Sequence, residues 1–269
     1  MDHVQPHHKL MESYGDVIRR HRAWLTAYGR ARRERWEGML ESQPEAALVE
    51  GGVCGFLQKS VGSVEPNEDP DSGGPDFACM QGGERFYVEA TCVTIEAGTR
   101  ATGVDAGQCG GGFGRAITGV IRNEVSNKAK QCAGVTDAPC LLAIGTLHSE
   151  VGRLFRDELQ VPSVLTSDTK ITCAFDPTTG EAVGESRLST DLSRSAFIKK
   201  SNSHGELVAP VRRTISGIVL VDLYWKSLNV LGVLHVDAAR PFNRQLLPNV
   251  KFYRLRGRYA SGDLEGEWV

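Results

Sequence analysis

Apolar positions recur at helical spacing near the start of the chain. Between residues 14 and 41, Val17, Trp24, Leu25, Tyr28, Trp36 and Leu40 fit one or two helices. Leu48, Val49, Val53, Phe56 and Leu57 predict another over 45–62, weakened by Gly51 and Gly52. Residues 65–74 are rich in Pro, Asp, Asn and Gly and are expected to form a loop. Residues 77–80 and 85–94 then flank Gln81, Gly82 and Gly83, the pattern of a β-hairpin. The glycine-rich stretch 97–114 lacks the GxxxxGK[ST] spacing of a phosphate-binding loop and is expected to be a flexible insertion. Residues 115–132 predict a helix, and the continuous apolar run 139–146 predicts a buried strand. A short helix is expected within 149–160, and a second hairpin pairs 170–175 with 182–188. Residues 189–211 are expected to be mostly loop, followed by strands at 215–223, 230–235 and 250–255. With no internal repeat or linker, the expectation is a tail and helical extension over 1–41 and one α/β domain over 42–269.

Composition narrows the possible partners. The chain has 269 residues, 41% of them hydrophobic and 24% charged, enough for a substantial core. A net charge of −2 excludes a polycation, so nucleic-acid binding requires a local basic patch. Arg19, Arg20, Arg22, Arg30, Arg32, Arg33 and Arg35 crowd the N-terminal helical region. They either face a phosphate backbone or form a solvated surface balanced by Asp16, Glu34 and Glu37; the charge balance favours the second. The seven cysteines contain no CxxC pair and read as buried, reduced thiols of a cytoplasmic protein rather than a zinc site. Residues 1–13 read as a solvated tail with no signal-peptide pattern, His7 and His8 included. No apolar run approaches a membrane span.

The candidate chemistry comes from three separated pieces. Asp76 follows Pro75 where the loop enters the first hairpin strand, and Glu89 lies on the second. A short hairpin brings both carboxylates to one end of a sheet, where hard oxygens suit Mg²⁺ or Mn²⁺ and the Ala90 carbonyl can add a ligand. On the helix at 115–132, Ile117, Ile121, Val125 and Cys132 share one face. Lys128 falls in the middle of that face, Gln131 at its edge, and Lys130 almost opposite. A cation within an apolar stripe needs an anionic partner. Asp76 and Glu89 can supply it, but so can Glu124, one helical turn before Lys128. Asp76 could instead initiate a turn, and Glu89 could be an outward strand residue paired with Arg85. His235 reads as a hydrogen-bonded core histidine, and Ser203-His204 has no GxSxG nucleophile elbow beside it.

Pro75-Asp76 followed by Glu89-x-Thr91 resembles the PD-(D/E)xK nuclease superfamily. Thr91 departs from the pattern at the position of the usual lysine, and Lys128-Ala129-Lys130-Gln131 resembles the KxxQ variant that supplies the lysine from the following helix. The resemblance covers roughly residues 45–146. It implies a restriction-endonuclease-like core, a central mixed β-sheet flanked by helices, Mg²⁺ (or Mn²⁺) dependence and a nucleic-acid substrate, with DNA expected. An acidic residue on the helix before the first strand often joins such sites; Glu50 is the best match and Glu45 the next. In these terms Asp76, Glu89, Lys128, Gln131 and Glu50 form the catalytic set, with Asp76, Glu89 and Ala90 holding the metal. A homodimer is compatible with this picture. The alternative is a non-catalytic binding or interaction protein on a degenerate nuclease-like fold.

Overall fold

The computed structural model describes residues 12–68, 73–110, 115–135, 137–166, 168–192, 195–200, 207–225, 230–258 and 263–269. Three helices lead the chain: α1 (Gly15–Thr26), α2 (Arg30–Ser42) and α3 (Pro44–Ser60). Pro44 opens α3, where its missing N–H costs nothing and its fixed φ suits the first turn. Gly51 and Gly52, which weaken the helix intrinsically, sit where neighbours close in. A Cβ on Gly51 would lie 3.1 Å from Val17 Cγ1, and one on Gly52 2.5 Å from Leu223 Cδ2. Tertiary packing therefore overrides propensity here.

Strands β1 (Ser63–Pro66), β2 (Phe77–Gln81) and β3 (Glu84–Val93) follow. The β2–β3 turn is Gly82-Gly83, both at positive φ (59° and 84°), as a two-residue hairpin turn of the primed type requires. Next come α4 (Ile95–Thr102), α5 (Arg115–Ala133), β4 (Cys140–Thr146) and α6 (Ser149–Phe155). The later strands are β5 (Asp168–Phe175), β6 (Ala182–Asp191), β7 (Ile198–Lys200), β8 (Leu207–Pro210), β9 (Gly217–Asp222), β10 (Val230–Leu234), β11 (Val250–Arg258) and β12 (Asp263–Trp268).

The main sheet is mixed and eight-stranded, in the order β1-β2-β3-β4-β9-β10-β11-β12. β3, β4 and β9 run parallel, as do β10 and β11, while the remaining neighbours are antiparallel. β4 is buried along its whole length, as its unbroken apolar run requires. The crossovers that return β4 beside β3 and β9 beside β4 both pack on one face of the sheet, and α3 with the β10–β11 connection covers the other. On one face Ile117, Ile121, Val125 and Cys132 of α5 pack with Tyr87, Leu142 and Ile144. On the other, Val49, Val53 and Leu57 of α3 pack with Phe77, Phe86 and Val88. A third cluster joins α1 and α2 to α3 through Leu25, Trp36, Leu40 and Leu48. The fold is thus α/β, with a mixed sheet flanked by helices.

Several expectations need correction. The stretch 97–114 is not simply an insertion, because residues 95–102 form α4, capped when Thr94 Oγ1 accepts the Ala97 N–H. Its apolar members are only Ile95, Ala97 and Ala101, too few to stand out among the glycines; residues 111–114 lie outside the described part. The 65–74 loop begins inside strand β1, and 189–211 contains the end of β6 together with β7 and β8. β12 was hidden by its Asp, Glu and Gly content, and it pairs as an edge strand with β11. Cys109 and Cys173 are exposed rather than buried. His7, His8, Ser203 and His204 lie outside the described residues. His235 is a core residue: its Nε2 bonds the Val211 carbonyl at 2.9 Å, and its Nδ1 accepts the Asp237 N–H at 2.9 Å.

Candidate functional site

Side-chain alternation along β3 sets up the site. Phe86 and Val88 point to the α3 face, so Tyr87, Glu89 and Thr91 point to α5. The β2–β3 ladder begins with the Phe77–Val88 pair, and the next position in register sets Asp76 opposite Glu89. β3 runs on past the start of β2, paired with β4 on its other edge. There the Ala90 N–H, lacking a strand partner on that edge, donates to Asp76 Oδ2 at 2.7 Å. The Ala90 carbonyl lies on the same edge of β3.

From the facing helix, two residues one turn apart meet two residues on the same face of β3. Lys128 Nζ donates to Glu89 Oε1 at 2.8 Å, and Glu124 Oε2 accepts the Thr91 hydroxyl at 2.8 Å. Lys128 therefore pairs across elements rather than along its helix, and Glu124 acts on it only at longer range. Arg85 is directed instead to Asp137, and Glu89 is 1% exposed, so an outward Glu89–Arg85 pair is ruled out. Glu45 accepts the Ile95 N–H at 2.6 Å, serving the start of α4. Glu50 sits one turn further along α3, 3.5 Å from the buried His21 ring.

All six sequence candidates, Asp76, Glu89, Ala90, Lys128, Gln131 and Glu50, line one cleft of about 710 Å³. Its far wall is built from α1 and α2. Sequence reasoning missed Glu68 in this lining and left Arg32 and Arg35 between a phosphate-facing and a solvated surface, favouring the second. Nothing in the loop composition around Glu68 indicated that it would turn back toward Glu89, and the arginines read as a solvated face. That expectation holds in part. Arg19, Arg22, Arg30 and Arg33 pair with Asp16, Glu37, Glu34 and Glu37 respectively, whereas Arg35 reaches across to Glu68.

The electrostatics are strongly perturbed. Burial, then the nearby Glu89 and Glu50 charges, hold the Asp76 carboxyl well above its ordinary value, against the Ala90 N–H and Lys128. Burial also raises Glu89, against the pull of Lys128. Burial alone would lower the Lys128 ammonium, but Glu89, then Asp76 and Glu124, outweigh it and hold it above its usual range. Glu89 Oε2 is buried and accepts no hydrogen bond of normal geometry among the described residues, although the Asp76 N–H near it helps hold the carboxyl down.

Among the described residues, no group of three or more His, Cys, Asp and Glu side chains gathers as a metal cage. A magnesium-type site does not need one, because Mg²⁺ is commonly held by one or two carboxylates with water and substrate phosphate. The donor set here is chemically suited to such an ion: two mutually repelling carboxylates, one with a buried oxygen that accepts no hydrogen bond of normal geometry among the described residues. Compared with known proteins, the chain matches no family model, no curated protein and no solved structure. Among the described residues, no helix is long and apolar enough to cross a membrane.

Proposed function

We propose that this cleft hydrolyses phosphodiester bonds of nucleic acid in a reaction dependent on Mg²⁺ or Mn²⁺. The observation that carries the proposal is the Glu89 carboxyl. One of its oxygens is held by Lys128 at 2.8 Å, and the other is buried beside Asp76, with only the Asp76 N–H near the carboxyl and no hydrogen bond of normal geometry among the described residues. We read the β2–β3–α5–β4 unit as a restriction-endonuclease-like core, in which Lys128 supplies from the helix the ammonium that Thr91 cannot supply from the strand.

Asp76, Glu89 and the Ala90 carbonyl would hold the cation, which when bound polarises the phosphate and lowers the pKa of a coordinated water. Lys128 is the chain's own cation at the reacting position. Fixed by Glu89, it orients the attacking water and meets the charge that develops on the phosphoryl oxygens. Gln131, one turn along α5, orients the water or a phosphate oxygen from the side. Glu50 adds negative charge near Asp76 and so favours occupancy by a cation.

The test is thermal unfolding with and without Mn²⁺, alongside cleavage of a labelled oligonucleotide. Asp76→Ala and Glu89→Ala should lose both the Mn²⁺-dependent stabilisation and cleavage, while Lys128→Ala should lose turnover more than stabilisation. Undiminished cleavage in all three variants would refute the assignment. Nucleic-acid binding with neither cleavage nor a response to Mn²⁺ would favour a non-catalytic binding module.

A further inference from the structure

Resting on that reading of the site, we infer that the cleft takes a single strand or a strand end of nucleic acid, threaded between α2 and the end of the sheet, and excludes the intact duplex. Glu89 lies at the bottom of the cleft at 1% exposure, so a phosphate must enter the cleft to come near it. The opposite wall is not a loose flap. Trp36 and Leu40 of α2 are buried at 3% and 4%, and they pack with Leu25 and Leu48 in one apolar cluster. The Trp36 indole N–H also donates to the Ala47 carbonyl at 3.2 Å.

The cleft is open to solvent on one side, and its volume of about 710 Å³ lies within the range of about 300–1,000 Å³ typical of small-ligand pockets. It suits a short run of nucleotides. A double helix, whose major groove alone is about 12 Å wide, is a rod of a different scale. The Arg35–Glu68 ion pair joins α2 to the segment after β1, and both residues line the cleft. Arg32, on the same wall, forms no hydrogen bond or ion pair among the described residues. Arg32 supplies an open phosphate contact. Arg35 can exchange its carboxylate partner for a phosphate as the strand enters.

The experiment uses the full chain and fluorescein-labelled oligonucleotides of one sequence: single-stranded DNA, single-stranded RNA, blunt duplex, and duplex with a single-stranded tail. Cleavage is followed with Mn²⁺. Binding is followed by anisotropy with Ca²⁺ in place of Mn²⁺, using Asp76→Asn protein as a second non-cleaving form. The expected result is single-strand cleavage at least about tenfold faster than blunt duplex, with the tailed duplex cut in its tail. Arg32→Ala and Arg35→Ala should each weaken single-strand binding and reduce the slope of log affinity against log salt by about 0.7. The DNA and RNA arms identify which strand is taken. Equal or faster cleavage of blunt duplex overturns the inference while leaving the nuclease reading intact. If nothing is cleaved, the nuclease reading fails and anisotropy decides the inference: preference for the single strand sustains it, and equal or tighter duplex binding overturns it.

Discussion

Replacing Lys128 by methionine removes the ammonium while keeping most of the chain volume, and the Lys128–Glu89 geometry sets what should follow. The pair is 2.8 Å apart, with the carboxylate 1% exposed and the lysine side chain 26% exposed. Losing one partner of a fully buried pair costs about 3–5 kcal/mol, whereas exposed pairs contribute about 0–1 kcal/mol. With one partner a quarter exposed, the expected cost is about 2–3 kcal/mol at neutral pH. Burial already raises the Glu89 carboxyl, and Lys128 is the largest influence opposing that rise. Without Lys128 it rises further, so the native protein binds a proton that the unfolded chain has already released. A raised acid contributes stability that is present below its unfolded value and lost as pH climbs through its folded value. The deficit of Lys128→Met should therefore be largest at about pH 8 and shrink toward about pH 5. Glu89→Gln should make the second substitution cheap, giving a coupling of at least about 1 kcal/mol. Urea unfolding of the wild type, both single variants and the double variant at the two pH values checks this. A deficit independent of pH and additive with Glu89→Gln would refute the buried-pair account.

Asp76→Asn keeps an oxygen for the Ala90 N–H but removes a charge that Glu89 and Glu50 disfavour. Thermal melts without metal should show it unchanged or more stable by about 0.5–2 kcal/mol, with the response to Mn²⁺ abolished. Because Asp76 and Glu89 are both raised in the folded state, the metal-free protein should lose stability as pH rises above the ordinary carboxyl range. Excess Mn²⁺ should flatten that slope, and an unchanged slope would count against cation binding between them. A Cβ on Gly145 would lie 2.5 Å from Val49 Cγ1, so Gly145→Ala should push α3 off β4 and cost about 1–3 kcal/mol by urea unfolding. Gly119→Ala in α5 meets nothing within 4 Å and should instead gain up to about 1 kcal/mol.

The elements that carry the site could be read from sequence because each rests on a local rule. Period-3.6 apolar positions marked α3 and α5, the Gly82-Gly83 turn marked the β2–β3 hairpin, and an unbroken apolar run marked β4. The same periodicity aimed Lys128 inward and Lys130 outward, as the structure has them. What the pattern left open was the partner. Along the helix alone, Glu124 was as available to Lys128 as the hairpin carboxylates, and only the carboxylate hairpin tilted the reading toward Asp76 and Glu89. Only the antiparallel docking of α5 across β3 resolved the choice, sending Lys128 to Glu89 and giving Glu124 to Thr91.

Elements with weak local signals were lost for a corresponding reason. α4 is short and glycine-flanked, and β12 is acidic and edge-placed, so each is held mainly by what it packs or pairs against. Whether the late strands extended the first sheet was likewise undecidable along the chain. It depends on β9 docking parallel to β4, a pairing of residues more than seventy positions apart. The cleft itself is wholly a tertiary fact. Its far wall belongs to helices that read as a separate basic extension, and apolar burial of Trp36 and Leu40 is what brings Arg32 and Arg35 over the carboxylates. Local periodicity determined which residues face inward, because side-chain direction repeats with backbone geometry. The packing of distant faces alone decided which of them meet.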